Sequence, residues 1–417
     1  MSKDKELLER VNPVFNTAKM TVFQFAETGD KDAMAIAERL GLTSEETQNS
    51  NSTQISEVQT MVGNIMIEIR FLTTEAMAVE TGCRTVVDLP CGYMPRAIRF
   101  SRKGRRYVGL DLPATIMEIE PVVRSIIDPK QGGSIRYQAV DATNYDSMEK
   151  ALEDTDGDIC ITTEGLLMYF GNSEAGELCD NIRRLLVKHG GCWITADPES
   201  GLQYVMITKA IYGDRLLHDM MNAKKRVQEK SDVKIAASDL IVKVQDGLEA
   251  GLKKALAFLK DHGLKAERVL VGDYMPELAC IKDKPELQRA VREAMKQCAY
   301  WRITPIGEDV SVPEKKAGKE FGIKAQRDGG QISMCISGRA DTLTAPEILS
   351  CFEEIEKEGT IEGVSVDCRN LEYISSAGLR VLLIMHKKST KGLSLTGVNE
   401  SVNEILKTTG FGDIFEM

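Results

Sequence analysis

Four acids stand at points where each closes a short apolar run: Asp88, Asp111, Asp141 and Glu164. In an open α/β sheet, ligands bind in the crevice at the carboxyl ends of the strands. An acid that ends the second strand is placed to accept both hydroxyls of an adenosine ribose, which makes Asp111 the first candidate and nucleoside binding the first candidate chemistry. Arg96 and Arg99 follow the turn Pro90–Cys91–Gly92. Arginine presents a planar fork that suits a carboxylate, so Arg96 is a candidate partner for a carboxylate of cofactor or substrate. The four histidines (189, 218, 262 and 386) are far apart in sequence, and no metal site is expected.

The elements that must position these residues follow from pattern. Thr85–Leu89 is a β-branched, apolar run of the kind buried on both faces. Pro95–Phe100 can open a helix, because proline is tolerated in a first helical turn. Arg106–Leu112, Ile135–Ala142, Asp158–Glu164 and Cys192–Asp197 read as further strands, and Ser173–Gly190 as a helix with Ser173 as N-cap and Gly190–Gly191 as its stop. Such alternation predicts a parallel sheet with helices on both faces. Glu199–Gln245 breaks it and reads as a mostly helical insertion over the strand ends. Leu248, Leu252, Leu256 and Leu259 mark an amphipathic helix, followed by a strand at Ala266–Gly272, a helix at Pro285–Cys298 and a last strand at Ala299–Thr304, consistent with an antiparallel edge.

Residues 1–84 read as a helical cap, with Asn12 as N-cap, Pro13 at the first helical position and a polar loop at Thr43–Thr53. This segment either covers a pocket or only packs. Residues 306–324 are charged and poor in apolar residues, as in a linker. Beyond them, strands are predicted at Gln331–Ser337, Gly363–Asp367 and Leu393–Val398. Helices alternate with them at Thr344–Glu358, Ser376–Lys388 and after Ser401. Thr344 with Glu347 and Ser401 with Glu404 read as capping boxes.

Composition bounds the partners. The chain has 417 residues, a formal net charge of −10, 42% hydrophobic and 28% charged residues. Two or three soluble domains are the prior at this length, and the acidic balance argues against nucleic acid and anionic membrane as partners. Ten cysteines are scattered without a CxxC pair, as expected of reduced, packed thiols in a cytoplasmic protein. No apolar run is long enough to span a bilayer, and Met1–Arg10 is charged rather than signal-like.

The segments VVDLPCGYMPRAIR, GLDLP, VDAT and TEGLLMYF occur in this order and spacing. Together they resemble the leucine carboxyl methyltransferase-like family, and most closely its polyketide-type O-methyltransferase branch, over residues 1–305. The resemblance implies a class I S-adenosylmethionine (SAM)-dependent methyltransferase fold: Rossmann-like, mostly parallel, with an antiparallel edge strand. It implies that Asp88, Cys91 and Gly92 form the turn under the methionine part of the cofactor, and that Asp111 and the adjoining Leu112 hold the ribose. Asp141 accepts from the adenine amino group and Ala142 donates its amide to the ring. Glu164 and Gly165 face the methionine moiety and the transfer site, with Arg96 nearby and Tyr169 in reach of the acceptor. Pro90 stands where the family usually has glycine. The bland readings are that Asp88 and Asp111 cap turns, that Arg99 is a solvated helix residue and that Tyr169 packs.

ISGRADTLTAPE and VDCRNLEYISSAGLRVLL resemble the STAS domain of anti-sigma-factor antagonists, a small α/β fold, here over residues 325–417. The family's phosphorylated serine falls on Ser376, the acid before it is Ser375 here, and its following serine is Ala377. Asp341, Asp367 and Ser375 are the implied partner-binding residues, and an anti-sigma factor or serine kinase is the implied partner. Ser376 as no more than an N-cap is the plain alternative.

The expected architecture is therefore a helical cap (1–84), a methyltransferase domain (85–305, with the insertion 199–245), a linker (306–324) and a STAS domain (325–417). The expected function is SAM-dependent methylation of a carboxylate or hydroxyl of a small molecule. A carboxylate acceptor needs no general base at neutral pH. The alternative is a non-catalytic, SAM- or nucleoside-binding signalling protein of the anti-sigma-factor antagonist type. A dinucleotide oxidoreductase would share the acid at Asp111, but DLPCGY stands where G-x-G-x-x-G would be required.

Overall fold

The β-branched run after Arg84 forms β1 (Thr85–Asp88), buried at every position, as a strand covered on both faces must be. The structure, a computed structural model, describes residues 7, 15–42, 57–128, 133–213, 238–243, 247–307 and 319–417. The chain divides into two compact units, one built from Val14–Asp111 and Thr115–Val310, the other around Ser311–Met417.

In the larger unit α1 (Phe15–Glu27), α2 (Lys31–Leu40) and α3 (Glu57–Glu80) precede β1. Then come α4 (Arg96–Arg102), β2 (Arg106–Asp111), α5 (Pro113–Ile126), β3 (Ile135–Ala139), α6 (Tyr145–Ala151), β4 (Ile159–Thr163), α7 (Asn172–His189) and β5 (Gly191–Thr195). The unit closes with α8 (Ser200–Tyr212), α9 (Leu248–Asp261), β6 (Leu264–Leu270), the short α10 (Val271–Tyr274), α11 (Pro285–Met295) and β7 (Ala299–Pro305). The sheet order is β3-β2-β1-β4-β5-β7-β6. The first five strands are parallel, and β7 runs antiparallel to both of its neighbours. Alternation along each strand divides the core between the two faces. Val86, Cys160 and Ile194 pack with Phe71 and Phe100 on one side. Val87, Ile161 and Trp193 pack with Leu178, Ile182 and Leu185 of α7 on the other.

The smaller unit contains β8 (Gly322–Asp328), β9 (Gln331–Ala340), α12 (Ala345–Glu356), β10 (Gly363–Ile374), α13 (Ser376–Lys388), β11 (Leu393–Thr396) and α14 (Glu400–Thr408). Its sheet order is β11-β10-β9-β8, with β10 parallel to β9 and β11 and β8 antiparallel to β9. Ile332, Met334 and Ile336 alternate inward along β9 onto Phe352 of α12 and Leu382 of α13.

Several local expectations are corrected. The cap of α7 is Gly171, not Ser173, and Glu174 accepts the Gly171 amide at 3.1 Å. Thr344 makes no side-chain cap; Asp341 Oδ1 instead accepts the Leu343 and Thr344 amides at 3.1 and 3.3 Å. Asn399, not Ser401, caps α14 by accepting the Val402 amide at 2.9 Å. At α7 and α14 a residue two positions upstream takes the capping place first, which local spacing alone does not rank, whereas Thr344 holds the cap position of α12 without a side-chain bond to the helix. The strand expected at Ala266–Gly272 ends at Leu270, where the chain turns into α10. The linker expectation missed β8, which begins at Gly322 and is half exposed along its length. Asn12, Pro13, the loop Thr43–Thr53 and residues 214–237 of the insertion lie outside the described residues.

The ten cysteines are free thiols; Cys83, Cys91, Cys160, Cys179, Cys192, Cys298 and Cys368 are buried. Among the described residues no group of side chains could hold a metal ion, and no helix is long and apolar enough to cross a membrane.

Candidate active site

The strand order places the four acids in a row. Asp141, Asp111, Asp88 and Glu164 follow or end β3, β2, β1 and β4, which are consecutive neighbours in the sheet. The row crosses the point where the strand order reverses, between β1 and β4, the usual ligand crevice of such sheets.

Asp88 is 1% exposed, and its oxygens are engaged by the protein. Oδ1 accepts from Arg96 Nη1 and from Thr162 Oγ1, both at 2.7 Å, and Oδ2 accepts from the Tyr107 hydroxyl at 3.0 Å. Arg96, the first residue of α4, uses the other arm of its fork on Glu164 Oε1 at 2.5 Å. Its guanidinium lies over the Phe71 ring, 4.7 Å from the centroid. The carboxylates that Arg96 grips are thus the protein's own. Burial alone would lower its pKa, but Asp88 and Glu164 outweigh burial and hold it well above the ordinary value. Glu164 is pushed up, chiefly by burial, with Arg96 and Arg70 opposing the shift.

The turn after β1 is laced to the end of β2. The Cys91 amide donates to the Leu110 carbonyl at 2.9 Å, and the Gly92 amide donates to Asp111 Oδ2 at 2.7 Å. Gly92 has φ +52°, the left-handed region that favours glycine. The peptide between Leu89 and Pro90 is cis. Leu112 is half-buried directly after β2. Asp141 Oδ1 accepts the Thr143 amide at 2.8 Å and the Thr143 hydroxyl at 2.5 Å, a local turn, while the Ala142 carbonyl accepts from Asn181 of α7 at 3.0 Å.

Two residues that the sequence reading did not single out organise the loop after β4. Asp197, 1% exposed, accepts three successive amides: Gly165 on Oδ1 at 2.6 Å, and Leu166 and Leu167 on Oδ2 at 2.9 Å each. Arg70 reaches in from α3 with Nε 3.5 Å from Glu164 Oε2, and a Cβ at Gly165 would lie 3.8 Å from its Nη1. Arg70 Nε makes no hydrogen bond. The only sequence signal for Asp197 was an acid ending a strand; for Arg70 there was a lone arginine within an apolar helix. Tyr169 lies on the turn Leu167–Tyr169, its phenol pKa raised by burial, with Thr17 and Arg70 as opposing neighbours.

The helix α1 lies over these strand ends. A Cβ at Gly92 would sit 3.8 Å from that of Ala18. Thr17 neighbours Tyr169. Lys19 donates to Glu118 of α5 at 2.9 Å, and Glu118 also accepts from the Tyr93 hydroxyl. Arg99 pairs with Asp30, the cap of α2, and, at 3.4 Å, with Glu75 of α3, so it ties three helices together rather than standing in solvent.

In the smaller unit the cap of α13 is Ser375, whose hydroxyl accepts the Ala377 and Gly378 amides at 3.2 and 3.4 Å. Ser375 is buried, and Ser376, the first helical residue, is exposed. Asp341 is fully buried and stands at the same sheet end, because the Ser375 amide donates to the Ala340 carbonyl at 3.0 Å. Asp367 is not at that end. It lies earlier on β10, opposite Cys335 and Thr396, and Arg369 holds its carboxyl down at about 2.

Residues 22–183 match the family model of leucine carboxyl methyltransferase, and residues 323–417 match that of the STAS domain. Among solved structures, an anti-sigma factor antagonist from Mycobacterium paratuberculosis is 18% identical over 23% of this chain and 83% of that one, with a TM-score of 0.21. Magnesium protoporphyrin IX methyltransferase from Synechocystis PCC 6803 is 12% identical over 61% of this chain and 89% of that one, with a TM-score of 0.34. Human N-acetylserotonin methyltransferase is 10% identical over 69% of this chain and 66% of that one, with a TM-score of 0.33. Among curated proteins, none matches the chain significantly. Residues 22–183 are therefore a leucine carboxyl methyltransferase domain and residues 323–417 a STAS domain: the chain joins a methyltransferase to a STAS module.

Proposed function

We propose that the larger unit transfers a methyl group from SAM to an oxygen, carboxylate or hydroxyl, of a small molecule, and that the STAS unit governs it through a protein partner. The observation that carries this reading is the row of acids at the tips of β3, β2, β1 and β4. These acceptors suit a nucleoside joined to an amino acid. Asp111 would take the ribose hydroxyls, and Asp141 with Ala142 the adenine. Glu164 would take the ammonium and Arg70 the carboxylate at the other end. Arg96 would serve from behind, neutralising Asp88 and orienting Glu164. The cofactor supplies an already activated methyl on a sulfonium. For a carboxylate acceptor, what remains for the chain is to hold the acceptor oxygen in line and to exclude water; a hydroxyl acceptor would also have to pass its proton to a base. The cover formed by Thr17, Ala18 and Lys19 of α1 serves the exclusion.

The test is calorimetry with S-adenosylhomocysteine and transfer of labelled methyl from SAM to a cell extract. Binding with transfer supports the reading; neither binding nor transfer removes it. One observation favours the second reading, a nucleoside-binding signalling domain: the Cys91 and Gly92 amides already donate to Leu110 and Asp111. Binding without transfer would select it. In the STAS unit the exposure of Ser376, beside a separate capping serine, supports Ser376 as the residue a serine kinase would modify.

A further inference from the structure

We propose that Tyr300 is a further ligand-binding residue of this site, its hydroxyl donating to the carboxylate of the cofactor's amino-acid end beside Arg70; this rests on the cofactor reading above. The placement follows from register. β7 is antiparallel to β5, with Trp301 opposite Thr195 and Ile303 opposite Trp193. Tyr300 therefore lies one step further toward the carboxyl end of β5, where Ala196 leads into Asp197. Its side chain is fully buried and belongs to the same apolar cluster as Ile69 and Phe71, the residues flanking Arg70 on α3.

Among the described residues the hydroxyl of Tyr300 has no hydrogen-bond partner. Buried hydroxyls are normally partnered, and an orphan calls for an explanation. The charged groups that the phenol feels most are Glu164, Arg70 and Asp197. Two of these are already engaged: Asp197 accepts three amides, and Glu164 accepts from Arg96. The third, Arg70, has its Nε 3.5 Å from Glu164 Oε2 but makes no hydrogen bond with it among the described residues, a second donor without an acceptor. Two donors without acceptors, next to one carboxylate, complement a zwitterion: its ammonium toward Glu164 and its carboxylate toward Arg70 and Tyr300. Burial raises the phenol's pKa well above its ordinary value, so the hydroxyl keeps its proton and remains a donor.

The experiment titrates the full chain and its Tyr300→Phe variant with two probes. One is S-adenosylhomocysteine; the other is S-adenosyl-3-thiopropylamine, which lacks only the carboxylate. Tyr300→Phe should weaken the first by roughly tenfold or more and leave the second within about twofold, as for a hydrogen bond to a charged group. Its melting temperature should be no lower than that of the parent, because the oxygen removed has no partner among the described residues. Equal affinity of parent and variant for S-adenosylhomocysteine, or an equal loss for both probes, overturns the proposal while leaving the cofactor reading intact. Failure of the parent to bind S-adenosylhomocysteine removes both. Should the variant not fold, the parent alone decides: equal affinity for the two probes overturns the carboxylate subsite, and tighter binding of S-adenosylhomocysteine supports it.

Discussion

Arg96 is 2% exposed and carries a full charge between two carboxylates. Burying three ions is unfavourable unless each is paired, and removal of one partner leaves the others stranded in a poor solvent. Arg96→Met keeps the bulk and deletes the charge, leaving Asp88 and Glu164 facing each other. It should lower stability by about 3–5 kcal/mol in urea denaturation; a loss no larger than that of a surface substitution would contradict the network. Glu164 gives a second expectation. Its carboxyl sits above the ordinary 4.5, with burial the largest cause, so the native state holds that proton more tightly than the unfolded chain does. The stability contributed is full below the unfolded value and falls as pH rises through the folded one. The melting temperature of the parent minus that of Glu164→Gln should therefore decline as pH rises above the ordinary glutamate range. A difference that does not change with pH would refute it.

At the scale of elements, close approach decides which residues are tolerated. The first turn of α13 packs so tightly on β9 that a Cβ at Gly378 would lie 2.4 Å from the Ala340 carbonyl oxygen. A backbone atom cannot swing aside as a side-chain tip can. Gly378→Ala should cost about 1–3 kcal/mol by overpacking, read as a lower melting temperature with Ser376 still exposed. An unchanged melt would show that the helix start is free to move. The same tightness explains what pattern could convey. The sequence motif marks where α13 begins, since Ser376–Lys388 is recovered in full. The caps of α7 and α14 lay beyond it, because each is chosen by competition among neighbouring residues for a few amides.

At the scale of the molecule, the two units carry separable expectations. Changing Ser376 to aspartate adds charge at an exposed helix start, where the helix dipole tolerates it. The variant should keep its melting temperature and its affinity for S-adenosylhomocysteine, while altering which proteins it retains in pull-downs. Unchanged pull-downs would count against a switch at Ser376. What the sequence alone determined was local and serial: the alternation of strands and helices, the acids at the strand tips, and the motifs of the two domains. These are legible because backbone periodicity and turn chemistry act over a few residues. The tertiary structure alone decided which groups meet. Arg96 reaches Glu164 across 68 residues, and Asp197 reaches Gly165 across 32. Arg70 and Tyr300 enter from opposite ends of the larger unit's sequence. Such pairings depend on the order in which strands lie in the sheet and on how α3 and β7 return to it, and no local pattern encodes that geometry.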